Sequence, residues 1–208
     1  MRFVLLIVLL NAILTNAQSI SFVAESGESA ISITADSKNV SKLIFYVSDL
    51  QLETIDGDYL KISDYHLVDF SDLTTREIKA DKQNKKAIKS IQFKLGIDST
   101  TNVSGAYGGA LDPTKGMYWS WQSGYINFKM EGQIQDENYI LHLGGYSTPH
   151  KAVQIVKLPV TNQSDEFKIT LPLNEIFEKV IPIDHTVMSP SLNAVAMSKA
   201  IASFFYLK

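Results

Sequence analysis

The 208-residue sequence contains no cysteine. Disulfide bonds, thiolate nucleophiles and zinc or iron–sulfur sites built on thiolates are therefore excluded. The nitrogen and sulfur ligands that remain for a transition metal are the imidazoles of four histidines and the thioethers of five methionines. Imidazole suits copper in either oxidation state, and a thioether favours Cu(I). Any site for a soft metal in this chain is thus expected to depend on histidine and methionine.

The sequence also lacks a strong charge excess and the local motifs of common enzymes. Nineteen basic and 22 acidic residues give a formal charge of −3, so no electrostatic footprint for nucleic acid is present. No P-loop, G-x-S-x-G or H-E-x-x-H motif occurs. We therefore expect a binding protein rather than an enzyme.

The only long apolar run lies at the start of the chain. Residues 1–17 read as a secretory signal peptide, with Arg2 as the charged start, an apolar stretch to Leu14 and small residues before Gln18. The run is shorter than the ~20 residues that a membrane-spanning helix needs. We expect one exported domain over residues 18–208, without a membrane span. The absence of cysteine excludes an N-terminal lipid anchor and favours a bacterial periplasmic or secreted protein.

Alternation of apolar and polar residues dominates from Ile20 to about Leu171 and predicts at least eight strands. Asp56-Gly57 predicts a hairpin turn. In a later strand, Ile126, Phe128 and Met130 are predicted to face one way. Many strands separated by polar turns predict a mainly β fold, an antiparallel β-sandwich.

Two segments near the end of the chain have helical spacing. A short helix is predicted over 173–181. A C-terminal helix is predicted to start at Ser189-Pro190, with Ser189 as the N-cap, and to continue through Phe204 and Phe205. Its apolar positions predict that it packs on the sandwich.

The stretch 98–115 has little periodicity and is long for a loop in a compact domain, which is often a sign of function. Asp98 at its start is a conceivable calcium ligand, but the dense acidic spacing of a calcium loop is missing. Asp98 is therefore expected to be solvated or to cap a turn.

Both tryptophans stand in the sequence GMYWSWQSGY, from Gly116 to Tyr125. Because Trp119 and Trp121 are two residues apart, a strand would direct both side chains to the same face. Three interpretations remain open: anchors in the core, a flat platform for a sugar ring, or aromatic contacts to a metal.

His142 and His66 lie in strand-like segments. Alternation places His142 on the same face as Ile140, where it is either a structural residue or a ligand. His66 stands near Asp64 and Asp69, and a carboxylate there could orient its ring.

His185 precedes Met188 by three residues. A histidine near a thioether is a plausible copper pair, although a loop histidine and a core methionine are each common.

The run GIDSTTNVSGAYGGALDPTKGMYWSWQSGYINFKMEG resembles the conserved region of the MbnP-like domain family. Other segments fit the same family: FYVSDLQL followed by Asp-Gly, YHLVDF, His142-Leu143-Gly144, and VMSP before the C-terminal helix. The resemblance extends from about Ile20 to Phe205.

This resemblance implies a secreted β-sandwich that binds copper. Characterised members of the family bind copper, and in some of them a tryptophan oxidised to kynurenine takes part at the copper site with histidines. The oxidation is attributed to a di-haem, peroxidase-related partner enzyme. Carried over to this chain, the candidates are His142 first, then Trp119 or Trp121 for modification or metal contact. His185 and Met188 come next, and His66 last.

Copper-binding relatives have a histidine very near the modified tryptophan, whereas this chain has Trp121 two residues after Trp119. The alternative function is a binding module without metal, in which the Trp/Tyr cluster serves as core or as a carbohydrate platform.

Overall fold

The computed structural model describes residues 18–27, 29–30, 39–80, 86–134 and 136–208. The predicted signal peptide, residues 1–17, lies outside this part of the chain. Among the helices that are described, none has the length and apolar character needed to cross a membrane.

Within the described residues the chain forms thirteen strands and three α-helices. The strands are β1 (Ser19–Ser26), β2 (Ser29–Ala30), β3 (Lys42–Thr54), β4 (Tyr59–Asp69), β5 (Glu77–Lys79), β6 (Ile88–Leu95), β7 (Tyr118–Trp119), β8 (Gly124–Ile134), β9 (Glu137–Gly144), β10 (Gln154–Pro159), β11 (Glu166–Pro172), β12 (Thr186–Val187) and β13 (Tyr206–Leu207). The helices are α1 (Ser99–Val103), α2 (Leu173–Lys179) and α3 (Leu192–Phe204). Short 3₁₀ turns occupy Leu73–Thr75, Gly109–Leu111, Pro113–Lys115 and Ile181–Ile183.

The strands form two main sheets. The first sheet has the order β13–β11–β1–β2, and β5 also pairs with β1. The second has the order β10–β6–β3–β8–β9–β12, with β4 on the other edge of β3 and β7 paired to β8. The predicted mainly β sandwich is confirmed, but its sheets are mixed, because β1 pairs with β11 and β9 with β12 in parallel.

The main core fills the space between the sheets. Phe22 of the first sheet makes edge-to-face contacts with Phe45 and Phe93 of the second, at ring-centroid distances of 5.7 Å. Phe205, just after α3, closes the same group, 5.6 Å from Phe93. Edge-to-face pairs of this kind add about 0.5–1.5 kcal/mol each to the burial of the rings.

Both predicted helices are present, but their boundaries differ: α2 ends at Lys179 and not at Ile181, and α3 ends at Phe204, one residue before Phe205. The N-cap of α3 is Ser191, whose hydroxyl accepts a hydrogen bond from the Ala194 N–H, so the prediction of Ser189 was wrong by two residues. Ser189 instead lies in a bend after β12, and α3 begins at Leu192. Met197 and Ile201 of α3 are fully buried, as the predicted packing on the sandwich requires.

A β-bulge in β8 changes which side of the sheet its side chains point to. The register with β9 shifts between Ile126 and Phe128, and Phe128 and Met130 belong to the main core. Ile126 instead lies in a second apolar cluster on the opposite face of this sheet. The prediction that these three residues share a face was therefore wrong, because the extra residue of a bulge reverses the alternation.

That opposite face, which we call the outer face, is covered by residues 98–123. This cover segment contains α1, and Asp98 caps that helix by accepting a hydrogen bond from the Thr101 N–H, as predicted. Leu111, Met117 and Trp119 of the cover segment pack on the outer face, against Tyr46 and other residues of the sheet. The outer face thus carries a second, smaller core. Polar residues of β8 and β9 lie beside this core on the same face.

Candidate metal centre

His142 lies on the outer face of β9, beside the cover segment. Alternation along β9 buries Tyr139, Leu141 and Leu143 on the other side, which confirms the predicted facing of His142. The imidazole Nε2 is 2.8 Å from Oε1 of Glu131 on the adjacent strand β8. The His142 side chain is only 12% exposed, so this hydrogen bond is largely shielded from water.

The charges around His142 favour its neutral form. Burial of the imidazole lowers the pKa of His142, and this effect outweighs the opposing effect of the hydrogen bond to Glu131. The positive charges of Lys129 and Lys42 lower the pKa of His142 further. Burial alone would raise the pKa of Glu131, but the hydrogen bond with His142 and the charge of Lys42 bring it below its ordinary value. Near neutral pH the pair is therefore a neutral imidazole against a carboxylate.

This pairing determines which ring nitrogen is available. With Nε2–H donating to Glu131, the Nδ1 atom of His142 carries the lone pair, and it makes no hydrogen bond within the described part of the chain. Metal-ligating histidines commonly donate their other N–H to a carboxylate, which fixes the tautomer and makes the ligand more basic. His142 is thus arranged as a histidine ligand would be, with Glu131 as the group that orients it.

Met188 follows the pairing of β12 along β9. The parallel register sets Thr186 beside Ile140 and Val187 beside Leu141, and Met188 is the first residue after this pairing. The segment continues along β9, because a methyl group at Gly145 would come within 3.1 Å of Pro190 Cβ. Val187 is buried with the main core, and Met188, the first residue beyond β12, is half-exposed.

Trp119 packs directly on the strand that carries His142. A methyl group at Gly144 would lie 2.7 Å from Cζ3 and 2.9 Å from Cη2 of Trp119, so the indole rests on the Gly144 backbone. Gly144 and His142 are two residues apart on β9 and share a face, which separates them by about 7 Å along the strand. The glycine of His142-Leu143-Gly144 is therefore the position that admits the tryptophan ring.

Trp121 does not share a strand with Trp119. Strand β7 ends at Trp119, and Trp121 lies in the four-residue turn before β8, in which Ser123 has φ +51°. The prediction of a common strand face was wrong for this reason. Trp119 is 6% exposed and Trp121 66%, and their rings meet at 6.0 Å with an interplanar angle of 48°. They form a tilted pair and not a flat platform.

The structure does not bring His185 to His142. The ring of His185 lies 3.6 Å from the Glu137 carboxylate at the start of β9, and its carbonyl oxygen accepts a hydrogen bond from the Ile140 N–H. Glu137 precedes His142 by five residues, about 16 Å along the strand. The His185 ring is therefore directed toward Glu137 at the start of β9 and not toward His142.

His66 lies on the other face of the sheet. It pairs with Val47, a residue of the main core, and cross-strand partners share a face. Its Nε2 is 2.6 Å from the carbonyl oxygen of Thr75. The ring is thus oriented by a backbone carbonyl and not by Asp64 or Asp69, and it cannot join His142 at one ion.

No group of three or more His, Asp or Glu side chains converges within the described residues. Sequence reasoning also missed Glu131, the hydrogen-bond partner of His142. Its signal was present in the alternation of β8, where Lys129 and Glu131 face opposite to Phe128 and Met130. Only the pairing of β8 with β9 identifies His142 as the neighbour of these charges.

Comparisons with known proteins agree with this architecture. The family model described as MbnP matches residues 15–196. The solved structure of MbnP from Methylosinus trichosporium superposes with a TM-score of 0.51, covers 77% of each chain and is 14% identical in sequence. At that identity the similarity demonstrates a shared fold. No curated protein matches the chain.

Proposed function

The chain belongs to the MbnP family, and on that premise we propose that it is an exported, non-enzymatic protein that binds copper on the outer face, at His142 and Met188. The bound ion would be stored, taken up or delivered in the periplasm or outside the cell. The single observation that carries the proposal is the state of His142. Its Nε2 is held by Glu131, and its Nδ1 has no hydrogen-bond partner within the described residues.

The surrounding residues fit a copper ion of low coordination number. A neutral imidazole and a thioether form a ligand set that favours Cu(I) over harder cations. Trp119, packed against Gly144, would shield one side of the ion from water. His185 and His66 have no part in this version of the site, because each faces another region of the sheet.

The test is a titration of the purified chain, residues 18–208, with Cu(I) in competition with a chromogenic chelator, and separately with Cu(II). We expect about one Cu(I) per chain. His142→Ala should abolish saturable binding, and Met188→Leu should weaken Cu(I) binding more than Cu(II) binding. Glu131→Gln removes the orienting carboxylate and is expected to cost about 10–100-fold in affinity. His185→Ala, a matched histidine variant just before β12, should bind as the wild type does.

The proposal fails if the wild type shows no saturable binding in either oxidation state, or if His142→Ala binds unchanged. Loss of binding in His185→Ala alone would move the site to the start of β9. Oxidation of Trp119 or Trp121 to kynurenine by a di-haem partner stays a prediction, which intact-mass measurement of the native protein can test.

A further inference from the structure

A cavity of about 470 Å³ opens on the outer face, at the opposite edge of the sheet from His142. It lies between β4 and the cover segment, and its wall residues include Tyr65, Thr101 and Tyr107. Strands β3 and β8 separate β4 from β9, which puts the cavity about 14 Å across the sheet from the copper candidate. Its volume is within the 300–1,000 Å³ that small-molecule sites usually have.

The walls of the cavity are held in place by hydrogen bonds. The hydroxyl groups of Tyr65 and Thr101 are 2.8 Å apart and join β4 to α1. The buried hydroxyl of Tyr125 accepts a hydrogen bond from the Tyr107 N–H at 3.0 Å and donates to the Leu111 carbonyl at 3.1 Å. One side chain thus ties both ends of the 107–111 stretch to the sheet. The concavity is preformed, which reduces the ordering cost of binding.

The lining combines aromatic rings with oxygen atoms. Tyr65 and Tyr107 present rings whose faces carry partial negative charge, and such faces pack well on the C–H groups of a sugar ring. The Asp64 carboxylate at the rim can accept hydrogen bonds from neighbouring hydroxyl groups, and hydrogen bonds to an ionised acceptor are the stronger kind.

The charge at the rim points to a neutral ligand. Asp64 already forms an ion pair with Lys61, so a cationic ligand would have to displace a lysine. An anionic ligand would meet the carboxylate. A neutral polyhydroxylated ring would neither displace the lysine nor be repelled by the carboxylate. It can use the carboxylate as a hydrogen-bond acceptor while the ion pair persists.

Tyr107 is the residue that can adjust to such a ring. Its side chain is 45% exposed, and Gly105, Gly108 and Gly109 flank it. A methyl group at any of these glycines would meet no atom within 4 Å among the described residues, so space is available around this stretch. We propose that the cavity between β4 and the cover segment binds a neutral monosaccharide or disaccharide, with Tyr107 stacked on the sugar ring and Asp64 accepting its hydroxyl groups.

The test uses metal-free protein, so that its outcome is independent of copper binding. D-glucose, D-galactose and N-acetyl-D-glucosamine are titrated by saturation-transfer difference NMR, with tetramethylammonium as a cationic comparison. We expect saturable binding of at least one sugar. Tyr107→Ala is expected to weaken that binding about tenfold, and Asp64→Asn should weaken it too. The matched control is Tyr59→Ala, because Tyr59 lies on β4 with Asp64, is 54% exposed and is not part of the cavity lining.

The proposal is overturned if none of the three sugars shows saturable binding, or if only tetramethylammonium binds. It is also overturned if Tyr107→Ala binds a sugar as the wild type does, or if Tyr59→Ala loses binding equally. Both tyrosines are about half exposed, so neither alanine variant is expected to disturb folding.

Discussion

Replacement of Gly144 by alanine tests the close packing of Trp119 on β9. The new methyl group would stand 2.6 Å from the carbonyl oxygen of Tyr125 and 2.7 Å from Cζ3 of Trp119. The Tyr125 oxygen belongs to the backbone of the paired strand and cannot move independently. Either the indole leaves its position or the two strands separate, and overpacking of this kind typically costs about 1–3 kcal/mol of unfolding free energy.

A glycine elsewhere in the chain provides the control. Gly108 has φ −90°, which alanine also adopts, and a methyl group there would meet nothing within 4 Å among the described residues. Gly108→Ala is therefore expected to be neutral or to stabilise by about 0.4–1 kcal/mol, through the smaller entropy of the unfolded chain. The two variants make the same chemical change and are predicted to have opposite effects.

Urea unfolding followed by far-UV circular dichroism measures both effects. With an m-value of about 2–3 kcal/mol per molar, Gly144→Ala should lower the urea midpoint by roughly 0.3–1.5 M. In a Trp121→Phe background, fluorescence reports Trp119 alone and should shift to longer wavelength if the indole is displaced. If Gly144→Ala is as stable as Gly108→Ala and the emission of Trp119 is unchanged, the close approach of ring and backbone is refuted.

Two further predictions concern buried polar groups. Glu53 accepts a hydrogen bond from Ser90 and is ion-paired with Lys89 and Lys157, which lower its pKa from 4.5 to about 2. The contribution of Glu53 to the free energy of unfolding is thus fully present above pH 4.5 and is lost as the pH falls towards 2. The urea midpoints of wild type and Glu53→Gln should therefore differ at pH 7 and converge at pH 2. A difference in midpoint that does not depend on pH would contradict this. Tyr46 is fully buried and its hydroxyl has no hydrogen-bond partner among the described residues, so Tyr46→Phe should leave the unfolding free energy equal or raise it by up to about 1 kcal/mol. Tyr139→Phe removes a 2.5 Å hydrogen bond to a backbone carbonyl and should lower the unfolding free energy by about 1 kcal/mol. If calorimetry shows equal shifts of the melting temperature for Tyr46→Phe and Tyr139→Phe, this difference between the two hydroxyl groups is contradicted.

The candidate metal centre illustrates where sequence patterns stop being informative. Alternation identified the face of His142 correctly, because side chains of a strand alternate regardless of which strand lies beside it. It could not identify Glu131, since no local rule says which residues of β8 stand beside β9. It also grouped His185 with Met188 by proximity in sequence, whereas the register of β12 separates their side chains along β9.

The prediction that Trp119 and Trp121 share a face was wrong for a different reason. A spacing of two residues predicts a common face only while the strand continues, and β7 ends at Trp119. The turn that follows exposes Trp121 and leaves Trp119 against Gly144. Likewise, the alternation of β8 could not reveal that its register with β9 shifts after Ile126, because a bulge is defined by the partner strand.

The sequence alone predicts that this protein is mainly β, that two helical segments lie near the end of the chain and that Asp98 caps a turn. It also identified the family, whose motifs extend over most of the chain. These properties follow from periodicity, capping chemistry and the order of motifs, all of which are local in the chain. The pairing of His142 with Glu131 and the packing of Trp119 on Gly144 became known from the three-dimensional structure. Those neighbours are distant in sequence, and strand register, which depends on packing of the whole sheet, brings them together.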